Sequence, residues 1–142
     1  MTYYLGISGA RTGGTDRQLI KLEQLLTAVK IKKPQTICRH GNCVGVDEQA
    51  DAICVKLSIP TEAFPSTWTS TQSKTSKAKI MSAPERPYKR NTTIVNSIHG
   101  LIALPRGSEE SGLSPGTWDA INKARQRRII VAVILPDGSL IK

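Results

Sequence analysis

The chain is poor in aromatic residues, in cysteine and in negative charge, and it has no long apolar run. Only six residues are aromatic (Tyr3, Tyr4, Phe64, Trp68, Tyr88 and Trp118), 4% of the chain. That scarcity argues against a platform of stacked rings along single-stranded nucleic acid. The three cysteines, Cys38, Cys43 and Cys54, are an odd number and form no Cys-x-x-Cys pair. A disulfide framework and a Cys-rich zinc site are therefore not expected, and a reducing, cytoplasmic setting is. No window approaches the roughly eighteen unbroken apolar residues of a membrane helix. Met1 to Ser8 lack the basic start and long apolar core of a signal peptide. No membrane partner is expected. His40 has no ligand partner at metal-binding spacing, so no metal is expected. No cofactor is expected.

What is present is enough for one folded unit. The 142 residues are 39% hydrophobic, which suits a single globular domain with its own core. Twenty Lys and Arg against eleven Asp and Glu give a net charge of +9. An excess of that size points to a phosphate-bearing partner, small or polymeric. It is spread along the chain, densest from Lys74 to Arg90, with a second cluster at Arg125, Arg127 and Arg128. A plain alternative is that these are solvated surface charges.

Apolar periodicity organises the chain into alternating strands and helices. Tyr3 to Ser8 reads as a buried strand ending in the turn Gly9-Ala10-Arg11-Thr12-Gly13-Gly14. Thr15 or Asp16 can cap a helix in which Leu19, Leu22, Leu26 and Val29 recur, stopped by Pro34. Thr36-Ile37-Cys38 is a second strand, and Val46, Ala50, Ile53 and Leu57 mark a second helix. Residues 60–64 form a weak third strand. Nine of the twenty residues 65–84 are Ser or Thr, without a period, and read as a mobile loop over a site. Glu85 to Ser97 reads as a helix, 101–104 as a buried strand, 116–126 as a helix, and 129–135 as a strand covered on both faces. Ser139-Leu140-Ile141 can add a short antiparallel end strand after the turn Pro136-Asp137-Gly138. The expected fold is α/β, a doubly wound, mainly parallel five-stranded sheet with that end strand. The expected organisation is one domain over 1–142.

In such sheets ligands bind beyond the carboxyl ends of the strands, and the loops at those ends carry the unusual residues. Ser8-Gly9-Ala10-Arg11 offers a close backbone approach, the N-terminus of the next helix, and a charged donor. It is neither Gly-x-Gly-x-x-Gly nor a Walker loop. In His40-Gly41-Asn42-Cys43-Val44-Gly45-Val46-Asp47 two glycines flank a loop whose amides can cradle an anion. Asp47 either caps the following helix or takes a ribose hydroxyl. Cys43 near His40 reads as a packed loop thiol rather than a nucleophile. Arg90-Asn91 suits a phosphate together with a ribose or base edge, or else an ordinary helix face. Arg106, then Gly116-Thr117 at a helix start, offers phosphate donors. Trp118, spaced with Ile121, reads as core.

Taken in order, Gly9-Ala10-Arg11, Gly41-x-x-x-Gly45-x-Asp47-x-x-Ala50, Arg90-Asn91-x-x-Ile94-Val95 and Leu101-Ile102-Ala103-Leu104-Pro105 followed by Gly116-Thr117-Trp118 resemble the SLOG superfamily, with its DprA, LOG and YspA groups. The likeness spans residues 5 to about 133 and is greatest to the YspA-like group. It implies a Rossmann-like fold, a nucleotide-type ligand and a homo-oligomer. By resemblance Ser8, Gly9 and Arg11 hold phosphate, and Gly41, Gly45 and Asp47 form the ligand pocket. Arg90 and Asn91 then hold phosphate or ribose, and Gly116 and Thr117 phosphate. LOG enzymes split base from a nucleoside monophosphate with an Arg and a Glu. Here Ala120 stands where that Glu would be, and Asp119, one residue earlier, points elsewhere on a helix.

The leading expectation is a protein that binds a nucleotide or nucleotide-derived signal at the strand-end cleft, as a sensor or a sequestering protein. One alternative is an N-glycosidic hydrolase with Glu85 or Asp119 as acid/base. Another is DprA-like binding of single-stranded DNA.

Overall fold

The computed structural model describes all residues, 1–142. Seven strands form one sheet in the order β4-β3-β2-β1-β5-β6-β7. The strands are β1 (Tyr3–Gly9), β2 (Thr36–His40), β3 (Thr61–Ala63), β4 (Lys79–Ile80), β5 (Gly100–Leu104), β6 (Ile130–Ile134) and β7 (Leu140–Ile141). Every pairing is parallel except β6 with β7. The four helices are α1 (Asp16–Lys32), α2 (Val46–Lys56), α3 (Pro87–Val95) and α4 (Pro115–Gln126). The doubly wound Rossmann-like α/β reading holds, with seven strands where five and an end strand were expected. The added strand is β4, whose two residues are both exposed. Two residues carry no alternation, so nothing in the sequence marks them as a strand.

The central strands are built to be covered twice. All five residues of β5 are buried, as a parallel strand with helices on both faces requires. Leu22 and Leu26 of α1 and Val46, Ala50 and Cys54 of α2 pack on one face with Leu5, Ile7 and Leu104. Ile94 and Val95 of α3 and Trp118, Ile121 and Ala124 of α4 pack on the other with Leu101, Ala103 and Val133. Each fully buried large aliphatic side chain contributes about 1.5–3 kcal/mol. Trp118 is thus a core residue, and its indole N–H donates to Gly107 O at 3.1 Å.

Local chemistry sets where α1 begins. Thr15 Oγ1 accepts from Gln18 N (3.1 Å), and Gln18 Oε1 accepts from Thr15 N (2.9 Å). This is a reciprocal capping box. The buried Gln18 amide also donates to Pro105 O and Ile134 O, both at 2.8 Å. One side chain thereby caps a helix and ties the ends of β5 and β6.

The Ser/Thr-rich segment is more structured than its composition predicts. It holds a single 3-10 turn (Thr69–Thr71) as well as β4. Val44 N donates to Thr71 O (2.8 Å) and Ser73 N to Asn42 O (2.8 Å), so it docks on the loop after β2. No helix is long and apolar enough to cross a membrane.

Candidate functional site

The carboxyl ends of β1, β2 and β5 open into one cleft of about 220 Å³. It lies where the connections from β1 diverge, to β2 on one side and eventually to β5 on the other. That is the switch point at which open α/β sheets take ligands. Ser8, Gly9 and Arg11 enter from the loop after β1, and Gly41 and Asp47 from the loop after β2 and the start of α2. Arg90 and Asn91 enter from α3, Arg106 from the loop after β5, and Gly116 and Thr117 from the start of α4. The fold therefore brings ten of the eleven expected ligand residues to one cavity.

Gly45 is the eleventh, and it is not on the wall. It is the N-cap of α2 at φ +84°, and a Cβ there would overlap the carbonyl oxygens of Ala10 and Arg11. The position demands glycine for the turn rather than for a ligand. Gly9 and Gly41 are similarly confined: a Cβ would run into Val46 at the first and into the Arg90 guanidinium at the second. Gly116 differs. A Cβ there would meet nothing within 4 Å, so this glycine leaves open space at a cleft-lining position.

Arg90 is 8% exposed. Its Nη1 donates to Gly41 O (2.7 Å) and Phe64 O (3.1 Å), and its Nε to Asn91 Oδ1 (3.1 Å). Its Nη2 reaches only the Cys43 sulfur, at 3.8 Å. No carboxylate pairs with it; the five ion pairs of the molecule involve other residues. A buried cation without a counter-ion is costly unless an anion supplies one. Arg11 is exposed, with its guanidinium stacked over Trp68, 4.7 Å from the ring centroid.

The loop after β2 does not cradle an anion as expected. Gly41 N and Cys43 N both donate to Asp47 Oδ2, at 3.1 and 3.2 Å. Asn42 N donates to His40 Nδ1 (2.9 Å), and Val44 N to Thr71 O. These amides are spent on holding the loop. Asp47 therefore braces the turn behind its own helix instead of capping that helix. Nor does α1 offer its N-terminus, which the capping box closes. The helix start that stays open is α4. Its N-cap, Ser114, makes no capping bond, because its hydroxyl accepts from Arg106 N (2.8 Å) instead. The first amides of α4 lie beside Gly116 and Thr117, where a helix end favours negative charge.

Glu85 and Asp119 lie off the cleft wall. Glu85 accepts from Thr93 Oγ1 (2.7 Å), and Asp119 is held by Lys123 (2.8 Å) and Asn91 Nδ2 (3.2 Å). Burial pushes the Cys43 thiol up and nearby Asp47 adds to that, against the pull of Arg90 and Arg11. His40 cannot serve it as a base, since both ring nitrogens are engaged, Nδ1 by Asn42 N and Nε2 by Asp51 Oδ1 at 2.8 Å. No grouping of His, Cys, Asp and Glu has the form of a metal site.

Two aromatic wall residues went unseen in the sequence: Trp68, 46% exposed, and Tyr88, 49% exposed. Trp68 sits in the Ser/Thr-rich stretch, where no periodicity assigns a role. The one available signal was that the six aromatics are too few to leave unexplained outside the core.

The fold and cleft define a Rossmann-like α/β protein. Solved structures similar to it include three with TM-scores of 0.64 or more. The molybdenum cofactor binding protein of Rippkaea orientalis is 21% identical, over 95% of this chain and 77% of that one, at TM-score 0.71. The protein TM1055 is 11% identical over 91% and 72%, at 0.68. The molybdenum cofactor carrier protein of Chlamydomonas reinhardtii is 17% identical over 94% and 76%, at 0.64. No protein-family model and no curated protein sequence matches the chain.

Proposed function

We propose that the chain is a binding protein, sensor or sequestering, for a small phosphorylated ligand of nucleotide type. The observation that carries this is Arg90: a guanidinium more than nine-tenths buried, facing the cleft, with carbonyl, amide and sulfur partners but no acid. A ligand phosphate completes its charge. Arg11 and Arg106 add donors, and the uncapped start of α4 adds its dipole. Trp68 and Tyr88 provide exposed ring faces for a planar group. Binding rather than turnover is supported by the placement of Glu85 and Asp119 outside the wall. The neighbours described as binding or carrying the molybdenum cofactor favour the same reading.

Calorimetric titration with AMP, GMP, ribose 5-phosphate and inorganic phosphate tests it, with chromatography of the mixtures for free base. Saturable binding of the phosphorylated compounds and intact ligand afterwards is expected. No heat from any of the four sinks the proposal, and released base moves it to the hydrolase alternative. Salt-sensitive capture of single-stranded DNA without nucleotide binding would favour the DprA-like one.

A further inference from the structure

Two opposite charges share the cleft wall without meeting. Asp47 is the one acidic residue on that wall. It is 6% exposed, and Arg90 is 8% exposed. Both are held by the loop after β2. Asp47 Oδ2 accepts from Gly41 N and Cys43 N, while Arg90 Nη1 donates to Gly41 O and its Nη2 reaches Cys43 Sγ. Burial chiefly pushes the Cys43 thiol up, and the two charges act on it in opposite senses, Asp47 raising it and Arg90 lowering it. The carboxylate and the guanidinium thus flank the same short stretch of chain, yet they form no ion pair with each other.

Each also keeps a position that the protein does not fill. Asp47 Oδ1 accepts from no protein donor. Nor is it sealed, since the only sealed side-chain atom without a partner is Ser82 Oγ. Arg90 Nη2 has only a sulfur, at 3.8 Å. A buried acceptor and a buried donor that open on one cavity call for a group supplying both complements. A phosphate dianion satisfies Arg90 but sets bare oxygens against a carboxylate. With one proton retained, the same phosphate accepts from Arg90 through one oxygen and donates from its P–OH to Oδ1. An O–H bond to an ionised oxygen is among the short, strong ones.

We propose that Asp47 makes the site selective for a terminal phosphate in its singly protonated form, with the P–OH donating to Oδ1 while Arg90 holds another oxygen. The selection rests on the phosphate-ligand reading above and narrows the ligand to a phosphate monoester. Phosphodiesters, nucleic-acid backbones and 3′,5′-cyclic nucleotides among them, carry no P–OH. Sulfate at neutral pH carries no proton either.

The test is the affinity of ribose 5-phosphate between pH 6 and pH 8.5, with inorganic phosphate against sulfate at pH 6 and AMP against 3′,5′-cyclic AMP. A monoester loses its second proton at about pH 6. Native affinity for ribose 5-phosphate is therefore expected to fall toward about tenfold per pH unit above that. Sulfate and cyclic AMP are expected to bind about tenfold or more weaker than phosphate and AMP, because each leaves Oδ1 unpaired. Arg11, Arg106, Cys43 and Tyr88 also bring charged or titratable groups to the wall, so Asp47→Asn assigns the slope. In that variant the side-chain oxygen stays on the two loop amides, and the NH₂ faces the cleft, where it donates to the dianion. Affinity then no longer falls above pH 6, and sulfate binds as phosphate does. A role in bracing the loop alone would leave both the slope and the sulfate rejection in place, and that result overturns the proposal. So does a native protein that binds ribose 5-phosphate equally at pH 6 and pH 8.5, or sulfate as tightly as phosphate, whatever the stability of the variant. In those cases the phosphate reading survives. If neither ribose 5-phosphate nor AMP binds at any of these pH values, the phosphate reading fails as well.

Discussion

Arg90 and Arg11 both present a guanidinium to the cleft, but their surroundings give them different consequences when removed. Arg90→Ala leaves Phe64 O without a donor and Gly41 O with only the weak Cys43 thiol, at 3.7 Å, and opens space against Gly41. Its loss is expected to cost about 1–3 kcal/mol in folding as well as a similar amount in ligand affinity. Arg11 is exposed and touches Trp68. Arg11→Ala is expected to weaken a phosphorylated ligand by about 1–3 kcal/mol while the denaturant midpoint of the free protein stays put. Urea unfolding and titration of the same two variants check this. A ligand affinity unchanged in both would remove the arginines from the site. The sequence put both residues at strand ends or on the following helix, because Gly-Ala-Arg and Arg-Asn stand next to recognisable apolar runs. It could not show that one guanidinium is embedded in backbone carbonyls. Those carbonyls belong to residues 49 and 26 positions away, and such contacts exist only after folding.

At the level of elements, the two helix starts that meet the cleft use glycine in opposite ways. Gly45 turns the chain into α2 at φ +84° against the Ala10 and Arg11 carbonyls. Gly45→Ala is expected to destabilise the fold by about 1–3 kcal/mol through strain at a left-handed position. Gly116 lies in the first turn of α4 and has open space at its Cβ. Gly116→Ala is expected to leave stability equal or slightly raised, since alanine is the better helix former, while ligand affinity falls because the methyl enters the cleft. Thermal melts with and without GMP separate these effects. A Gly116→Ala protein that melts at the native temperature and binds GMP normally would show that α4 does not face the ligand. All four helices and the long strands were legible from periodicity. β4 and the 3-10 turn were not, because two- and three-residue elements have no period and are held by pairing to distant segments. The glycines at 41 and 45 were legible as flanking a loop before a helix. That they serve chain packing, while the loop amides go to Asp47, was not, since an aspartate six residues on gives no local sign of folding back.

Across the whole molecule, one buried polar pair ties the sheet to the segment that composition marked as loose. His40 at the end of β2 shares its Nε2 with Asp51 Oδ1 on α2 at 2.8 Å, and Lys77 N donates to Asp51 Oδ2 at 2.7 Å. The pair is 0% and 1% exposed. Burial alone would raise the Asp51 carboxyl, but hydrogen bonds from His40, the Lys77 amide and Thr61 outweigh it and hold it below its ordinary value. A carboxyl held lower in the folded chain than in the unfolded one stabilises the fold above the ordinary carboxylate range. That stabilisation is lost as the pH falls through the range to the folded value. The native protein is therefore expected to lose stability progressively below about pH 4, where free carboxylates take up protons. Asp51→Asn, which sets an NH₂ against one of two donors, is expected to be less stable by about 1–3 kcal/mol at neutral pH and flatter below it. The basic excess acts in the same direction in acid, since protonating carboxylates raises a net charge that is already +9. The difference between native and variant curves isolates the pair from that common background. Urea midpoints of both proteins from about pH 7 down to pH 3 provide it, and parallel curves would mean that Asp51 does not report the docking of the 65–84 segment.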